Sequence, residues 1–336
     1  MRLLFLVNAS ASSVTARARV VIHKALAADH EVQFAETRRR GHATRLAQGA
    51  AADGLDAVVV LGGDGTINEA ANGLVGTGTA LGVLPGGSTN VFARSIGMTN
   101  DPIEATGELL AALGAGRLRP VELGQVNGRY FLFHVGAGYD AAVVAEVEKR
   151  ALAKRYLGAA VFLTAAASTW ALGVDRRHPW FRVRADGPDV RAGDRPGVDG
   201  FEGMLAICLN TGPYTYLGDH PLDLLPGLRL GDGLGVVVLG SIGLPTLLGV
   251  TGGAVRGRPD PLSGFRRVRS ARGVAEVELI AARPLPYQVD GDYLGETDRL
   301  VVRRVPDALR LVLPLDPART GSAGGGGPGD GRRPAH

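Results

Sequence analysis

Two short stretches hold most of the residues that could do chemistry. The first is LGGDGT (61–66), where an apolar run ends in glycines around Asp64 and a helical pattern follows. Thr66 and Glu69 have the spacing of a capping box, and Ile67, Ala70, Ala71 and Leu74 form an apolar helical face. A glycine loop between a strand and a helix N-terminus is a phosphate cradle: its N–H groups point outward and the helix dipole favours anions. The second stretch, PGGSTN (85–90), repeats the arrangement with Gly87, Ser88, Thr89 and Asn90. The first is not a P-loop, which ends in Gly-Lys-Ser/Thr, and GGDGTI does not fit the G-x-G-x-x-G dinucleotide fingerprint. An acid inside a phosphate loop repels phosphate unless it holds a magnesium ion or takes a proton. The alternative is that Asp64 supports an Asp-Gly turn and nothing more.

The elements that must position these loops alternate. RLLFLVN, HEVQFAET, DAVVVLGG and ALGVLPGG read as strands, with helical patterns between them and DPIEATGELLAAL after the last. That grammar implies a parallel sheet covered by helices on both faces. From about residue 121 short strands dominate, among them GRYFLFHVG, GMLAICLNT, GLGVVVLG, VAEVELIA, LPYQVDGD, RLVVRRV and LRLVLPL, which predicts a largely antiparallel second region. One long helix, from about residue 140 to 169, interrupts it. The glycine-rich last twenty residues are expected to be disordered.

Composition is that of an ordinary globular protein, at 45% hydrophobic and 21% charged residues, and 336 residues suffice for two domains. The net charge of +4 comes almost entirely from arginine, lysine appearing only at Lys24, Lys149 and Lys154. A modestly basic balance permits phosphate-bearing ligands or an anionic membrane surface, and equally permits neither. The single Cys208 excludes an intramolecular disulfide and a cysteine-built metal site, and a reducing interior fits best. No signal peptide is expected. Residues 157–174 and 234–255 are uncharged and long enough to span a bilayer, but neither is expected to do so. The first reads as a buried or membrane-facing amphipathic helix, the second as strand, turn and packed helix.

With the second loop included, the chain resembles the diacylglycerol kinase catalytic-domain superfamily, in its bacterial soluble lipid kinase branch. LGGDGTINEAANGL matches that family's GGDGT motif; PGGSTNVFAR matches its G-T-x-N-D-F-A motif, with Ser88 for Thr and Val91 for Asp. The resemblance runs from VNASAS near the start to QVDGDYLGE near the end. It implies an N-terminal Rossmann-like parallel-sheet nucleotide domain, of the NAD kinase/diacylglycerol kinase type, over residues 1–120. A C-terminal antiparallel β-sandwich for the lipid follows over 121–316, with a strand near 309–315 returning to the first domain, and a tail over 317–336.

Residue by residue, the resemblance implies an ATP site of Asn8, Thr37, Gly62, Gly63, Asp64, Gly65, Thr66, Ile67, Asn68, Gly87, Ser88, Thr89 and Asn90. Ala9 stands where the family has proline. The Arg38–Arg40 run after Thr37 reads first as a solvated basic face, or as facing anionic lipid if it lies at the cleft rim. Asp232, with the carbonyls of Arg229 and Leu234, would hold a structural magnesium; the plain reading of that stretch is an Asp-Gly hairpin turn. Asp292 stands where the family has the glutamate of D-G-E and would be the catalytic base, with a reach about 1.5 Å shorter; Glu296 is the second candidate. Asp64 would carry the catalytic magnesium through water. Asp140, in GAGYDA, would position a headgroup hydroxyl or cap the long helix.

The implied activity is transfer of the ATP γ-phosphate to a lipid hydroxyl, with ATP and Mg²⁺ as cofactors and diacylglycerol or a related lipid as acceptor. A cytoplasmic protein follows, peripheral to the inner face of the membrane, without a nucleic-acid partner; dimers are common in the family, so a homodimer is open. The rival readings are an NAD kinase-like small-molecule kinase and a degenerate lipid- or nucleotide-binding regulator.

Overall fold

The computed structural model describes residues 1–11, 13–149, 178–186 and 197–315. Most of the long helix, the 157–174 stretch and the tail lie outside the described residues. The N-terminal part alternates as the patterns predict: β1 (Arg2–Val7), α1 (Ala16–Asp29), β2 (Glu31–Glu36), α2 (His42–Ala52), β3 (Ala57–Gly62), α3 (Asp64–Leu74), β4 (Ala80–Pro85), α4 (Val91–Ser95) and α5 (Pro102–Gly114). β3 and β4 are buried at every position, which a parallel strand covered on both faces requires and which their apolar runs supply. α5 starts where Asp101 accepts from the N–H groups of Ile103 and Glu104, with Pro102 in the first turn.

The described residues of the second part are mostly strand: β5 (Leu118–Val126), β6 (Arg129–Phe131), β7 (His134–Gly138), β8 (Phe181–Asp186), β9 (Glu202–Gly203), β10 (Leu205–Leu209), β11 (Thr215–Leu217), β12 (His220–Leu222), β13 (Leu234–Leu239), β14 (Val268–Val274), β15 (Glu276–Val289) and β16 (Asp292–Val312). Among the described residues two helices join them, α6 (Tyr139–Lys149) and α7 (Leu244–Val255). Residues 234–255 are thus strand, turn and helix, and no helix among the described residues is long and apolar enough to cross a membrane.

Among the described residues, fourteen strands share one sheet. Its parallel end runs β2-β1-β3-β4, and β16 joins it when Arg310 and Leu311 pair parallel with Ala80 and Leu81. From β16 onward the pairing is antiparallel through β15, β7, β10, β13 and β14. Two hydrophobic cores follow. One, around Phe5, Val59, Ile67, Leu81 and Phe92, lies under the parallel strands; the other, around Phe181, Ile207, Val237 and Leu279, fills the antiparallel part. The fold is therefore α/β plus an antiparallel β-sandwich.

Three strand expectations change. VAEVELIA and LPYQV are one strand, β15, with a register shift between Ile280 and Leu285 around Pro284. RLVVRRV and LRLVLPL are likewise one strand, β16, irregular around Pro306. GRYFLFHVG is two, because the N–H groups of Leu132, Phe133 and His134 all turn to the carboxylate of Asp290.

Candidate active site

The parallel strands deliver their C-terminal ends to one edge. Asn8, just past β1, donates its N–H to the Leu61 carbonyl, and Thr37, just past β2, donates to that of Val7. The Asn8 side chain donates to Thr66 Oγ1 at 2.8 Å, tying the first loop to the first turn of α3. The glycine loops after β3 and β4 touch each other directly. Gly86 N–H donates to the Gly62 carbonyl, and a Cβ on Gly86 would stand 2.8 Å from Gly62 N. A Cβ on Gly87 would stand 2.8 Å from the Gly63 Cα. These glycines are needed because two backbones pack against each other, a reason additional to close approach of phosphate. Ser13, which the sequence did not single out, clamps the same place: its N–H donates to Gly86 O and its hydroxyl to Gly87 O at 2.6 Å.

Within the expected ATP set the side chains divide. Thr66 and Gly63 are partly exposed at the edge and Ser88 is exposed, as an ATP contact requires. Asn90 is buried with φ of 51°, its amide bonded to Gly87 N, Gly87 O and Asn100 Oδ1, so it shapes the loop from within. Ile67 has its side chain in the core and its N–H taken by Gly63 O. Asn68 is also turned away from the loops, into contacts with the second half of the chain.

Asp64 has a structural task of its own. Its two carboxylate oxygens accept the N–H groups of Val91 and Phe92, both at 3.0 Å, so the first loop caps α4 beyond the second. Burial pushes its pKa up, against the pull of those N–H donors. The capping box is also corrected. α3 starts at Asp64 with Gly63 as its cap and no side-chain cap bond. Glu69 instead accepts from Gly41 N at 2.8 Å and Ala43 N at 3.2 Å, satisfying the first turn of α2, while Thr66 is the acceptor for Asn8.

Asp292 opens β16 immediately after the β15–β16 turn. Its carboxylate oxygens lie 3.7 and 3.9 Å from where a Cβ on Gly65 would be, so it stands over the first turn of α3. Arg40 reaches it at 2.9 Å and Arg129 at 3.7 Å. Arg129 also donates to Asn68 Oδ1 at 2.8 Å, and Asn68 Nδ2 donates to Asp290 at 2.7 Å. Asp290, buried with φ of 48°, accepts three further bonds from Leu132, Phe133 and His134, and burial raises its pKa to about 6. Glu296 is exposed, four residues along the strand from Asp292, or roughly 13 Å; it does not share the position. Arg40 was read first as part of a solvated face, and Arg129 was not singled out, since nothing in NGRYF signals a partner in distant β16.

Asp140 lies in the first turn of α6. It accepts from the Tyr214 hydroxyl at 2.5 Å and from Gln288 Nε2 at 2.9 Å, in a buried cluster that pushes both the Asp140 and the Tyr214 pKa up. Gln288 Nε2 also lies 2.6 Å from His134 Nε2, which must then accept and leave the proton on Nδ1. Burial drives the His134 pKa down to about 3, so the ring stays neutral. Gln288 Oε1 accepts from Gly291 N, so this cluster ends on the turn that carries Asp292.

Asp232 lies on an exposed turn before β13, where its Oδ2 accepts Arg229 N at 2.8 Å and its own N–H donates to Arg229 O. The next residue, Gly233, donates to Glu122 Oε1, and Glu122 pairs with Arg304 at 2.5 Å. Among the described residues no three His, Cys, Asp or Glu side chains gather into a metal cluster. The Asp232 carboxylate on its exposed turn is an oxygen donor of the kind magnesium takes, whereas the Arg229 carbonyl already accepts the Asp232 N–H and Leu234 is buried at the start of β13.

Comparison with known proteins agrees with this architecture. The family model "Diacylglycerol kinase catalytic domain" matches residues 2–126. A Pseudomonas aeruginosa protein described as "Probable lipid kinase YegS-like" is 32% identical over 293 residues, covering 85% of this chain and 86% of its own. The "Diacylglycerol kinase" of Bacillus subtilis is 39% identical over 120 residues, a match spanning 35% of this chain and 39% of that protein. A crystal structure of a diacylglycerol kinase from Bacillus anthracis superposes with a TM-score of 0.66 at 20% identity, over 94% of this chain and 97% of the other. The chain belongs to the diacylglycerol kinase catalytic-domain superfamily.

Proposed function

We propose that this lipid kinase transfers the γ-phosphoryl group of ATP to the hydroxyl of diacylglycerol or a related lipid. In the transfer the bond from the γ-phosphorus to the bridging oxygen breaks, and a bond forms to the lipid oxygen. The hydroxyl proton passes to the Asp292 carboxylate and ADP leaves. The observation that carries this reading is the Asp292 carboxylate over Gly65, an acid from the second half of the chain poised on the first turn of the phosphate-loop helix. A base there stands beside the point where the lipid oxygen would meet phosphorus.

The remaining residues serve positioning, which dominates catalysis of phosphoryl transfer. Asn8, Thr66 and the loops at 62–66 and 87–90 would cradle the phosphates, and Asp64 would hold the second loop by its bonds to α4. Magnesium, when bound, would neutralise charge on the phosphates; Asp232 would give a carboxylate oxygen to a structural ion, and Asp64 would meet a catalytic ion through water with its remaining lone pairs. Contact with the bilayer would be peripheral.

The test is a phosphorylation screen with γ-labelled ATP across diacylglycerol, sphingoid bases, ceramide, phosphatidylglycerol, polyprenols and NAD, with Asp292→Ala as control. Label in one lipid class, lost in the variant, supports the reading. Label in NAD alone would sink it.

A further inference from the structure

The phosphate loops carry no lysine, yet a phosphoryl group in transit spreads negative charge over its oxygens and calls for a cation near them. The side chains that converge on the first turn of α3 answer that need. We propose that Arg40 and Arg129 form a guanidinium clamp for the phosphoryl group being transferred, with Asp292 standing in as their anion until the nucleotide arrives. The proposal rests on the phosphoryl-transfer reading above and adds the residues that would stabilise its charge.

Three observations point there. The two arginines come from different parts of the fold, Arg40 from the segment before α2 and Arg129 from β6, and both address one carboxylate, at 2.9 and 3.7 Å. That carboxylate lies against Gly65, in the first turn of α3, where an anion is favoured by the helix dipole. Arg129 Nε is buried and has no hydrogen-bond partner, although Nη2 of the same fork is bonded to Asn68. A buried, unsatisfied guanidinium N–H carries a desolvation cost that an arriving anionic oxygen would relieve.

The arms of the clamp differ. Arg129 is anchored through Asn68 to Asp290, and its side chain is 32% exposed. Arg40 is 63% exposed. A terminal phosphate offers more charge and more acceptor oxygens than a carboxylate, so it takes Arg40 from Asp292. The exchange leaves an Asp292 oxygen open to the lipid hydroxyl only once the donor phosphate is seated. Arrival of the phosphate and unmasking of the base are then one event.

Calorimetric titration of the full-length protein in magnesium buffer tests this without any lipid, comparing ADP with ADP plus aluminium fluoride, a mimic of the phosphoryl group in flight. The wild type should bind the fluoride complex at least about tenfold more tightly than ADP alone. Arg40→Ala and Arg129→Gln should each cut that preference to below about threefold with ADP affinity within about twofold, and Arg40→Lys should fall between. Arg38→Ala, on the neighbouring exposed residue, should match the wild type. The proposal is overturned if the wild type shows no preference, or if Arg40→Ala keeps it. It is also overturned if Arg40→Ala weakens binding to phosphatidate vesicles alone, since the arginine would then read a lipid phosphate. A lipid screen without product would remove the proposed acceptor and leave the clamp result standing.

Discussion

Asn68 of α3 and Asp290 of the β15–β16 turn share a 2.7 Å hydrogen bond, although 222 residues separate them. The bond joins the phosphate-loop helix to the turn that carries Asp292, and Arg129 is fastened to the same asparagine. Asn68→Ala would leave Asp290 its three backbone donors and release both Arg129 and the turn. We expect a loss of about 1.5–3 kcal/mol, the scale of a hydrogen bond to a charged group, and at least about a tenfold fall in turnover. Urea unfolding and a transfer assay measure the two. A variant with native stability and turnover would show that the bond does not position Asp292.

Asp290 and His134 predict opposite responses to pH. Burial raises Asp290 from 3.8 to about 6, so between those values the folded chain keeps a proton that the unfolded chain has released. Its contribution is present below the unfolded value and is lost as pH rises through about 6. His134 is pushed down from 6.5 to about 3, so its contribution is present above 6.5 and is lost as pH falls through that window. Asp290→Asn should therefore make stability more sensitive to acid, and His134→Gln less. Urea midpoints at about pH 4.5 and about pH 7 decide it; parallel profiles for both variants and the wild type would refute both assignments.

The glycines of the two loops should not be equivalent. A Cβ on Gly86 would meet Gly62 N at 2.8 Å and Gly62 Cα at 2.9 Å, backbone atoms that cannot turn aside. Gly86→Ala should cost roughly 1–3 kcal/mol and disrupt nucleotide binding, because one loop must move off the other. A Cβ on Gly65 would reach only the Asp292 oxygens, at ordinary contact distances. Gly65→Ala should keep its stability to within about 0.5 kcal/mol and alter turnover alone. Thermal unfolding with an ADP titration separates the two outcomes.

The contrast between Gly86 and Gly65 shows how far the sequence could be read. The parallel sheet was legible because VVVL and LGVL are apolar without alternation, as strands covered on both faces must be, and the loops were legible because glycines follow them directly. Glu69 was misread because its spacing from Thr66 fits a local cap, whereas its partners at Gly41 and Ala43 are reached only after α2 packs on α3. The break in GRYFLFHVG had no local cause, since it is imposed by Asp290 from more than 150 residues away. Arg40 and Arg129 were hidden for the same reason. Periodicity and motif spacing report what a segment does with its neighbours, and these contacts exist only between distant elements.

Asp292 is the position where one methylene decides most. Asp292→Asn keeps the shape of the side chain and a hydrogen-bonding carbonyl, but cannot take a proton. Transfer should fall by at least about a hundredfold, within the range general-base catalysis supplies, with ATP affinity changed only a few-fold. Asp292→Glu restores the base and extends it by about 1.5 Å. It should retain at least about a tenth of wild-type transfer, because the carboxylate is 27% exposed and not locked in a core. The two variants together separate basicity from placement: loss in the asparagine variant with activity in the glutamate variant identifies the base. Equal activity in the asparagine variant and the wild type would mean that the proton leaves by another route and that Asp292 serves only as the partner of Arg40.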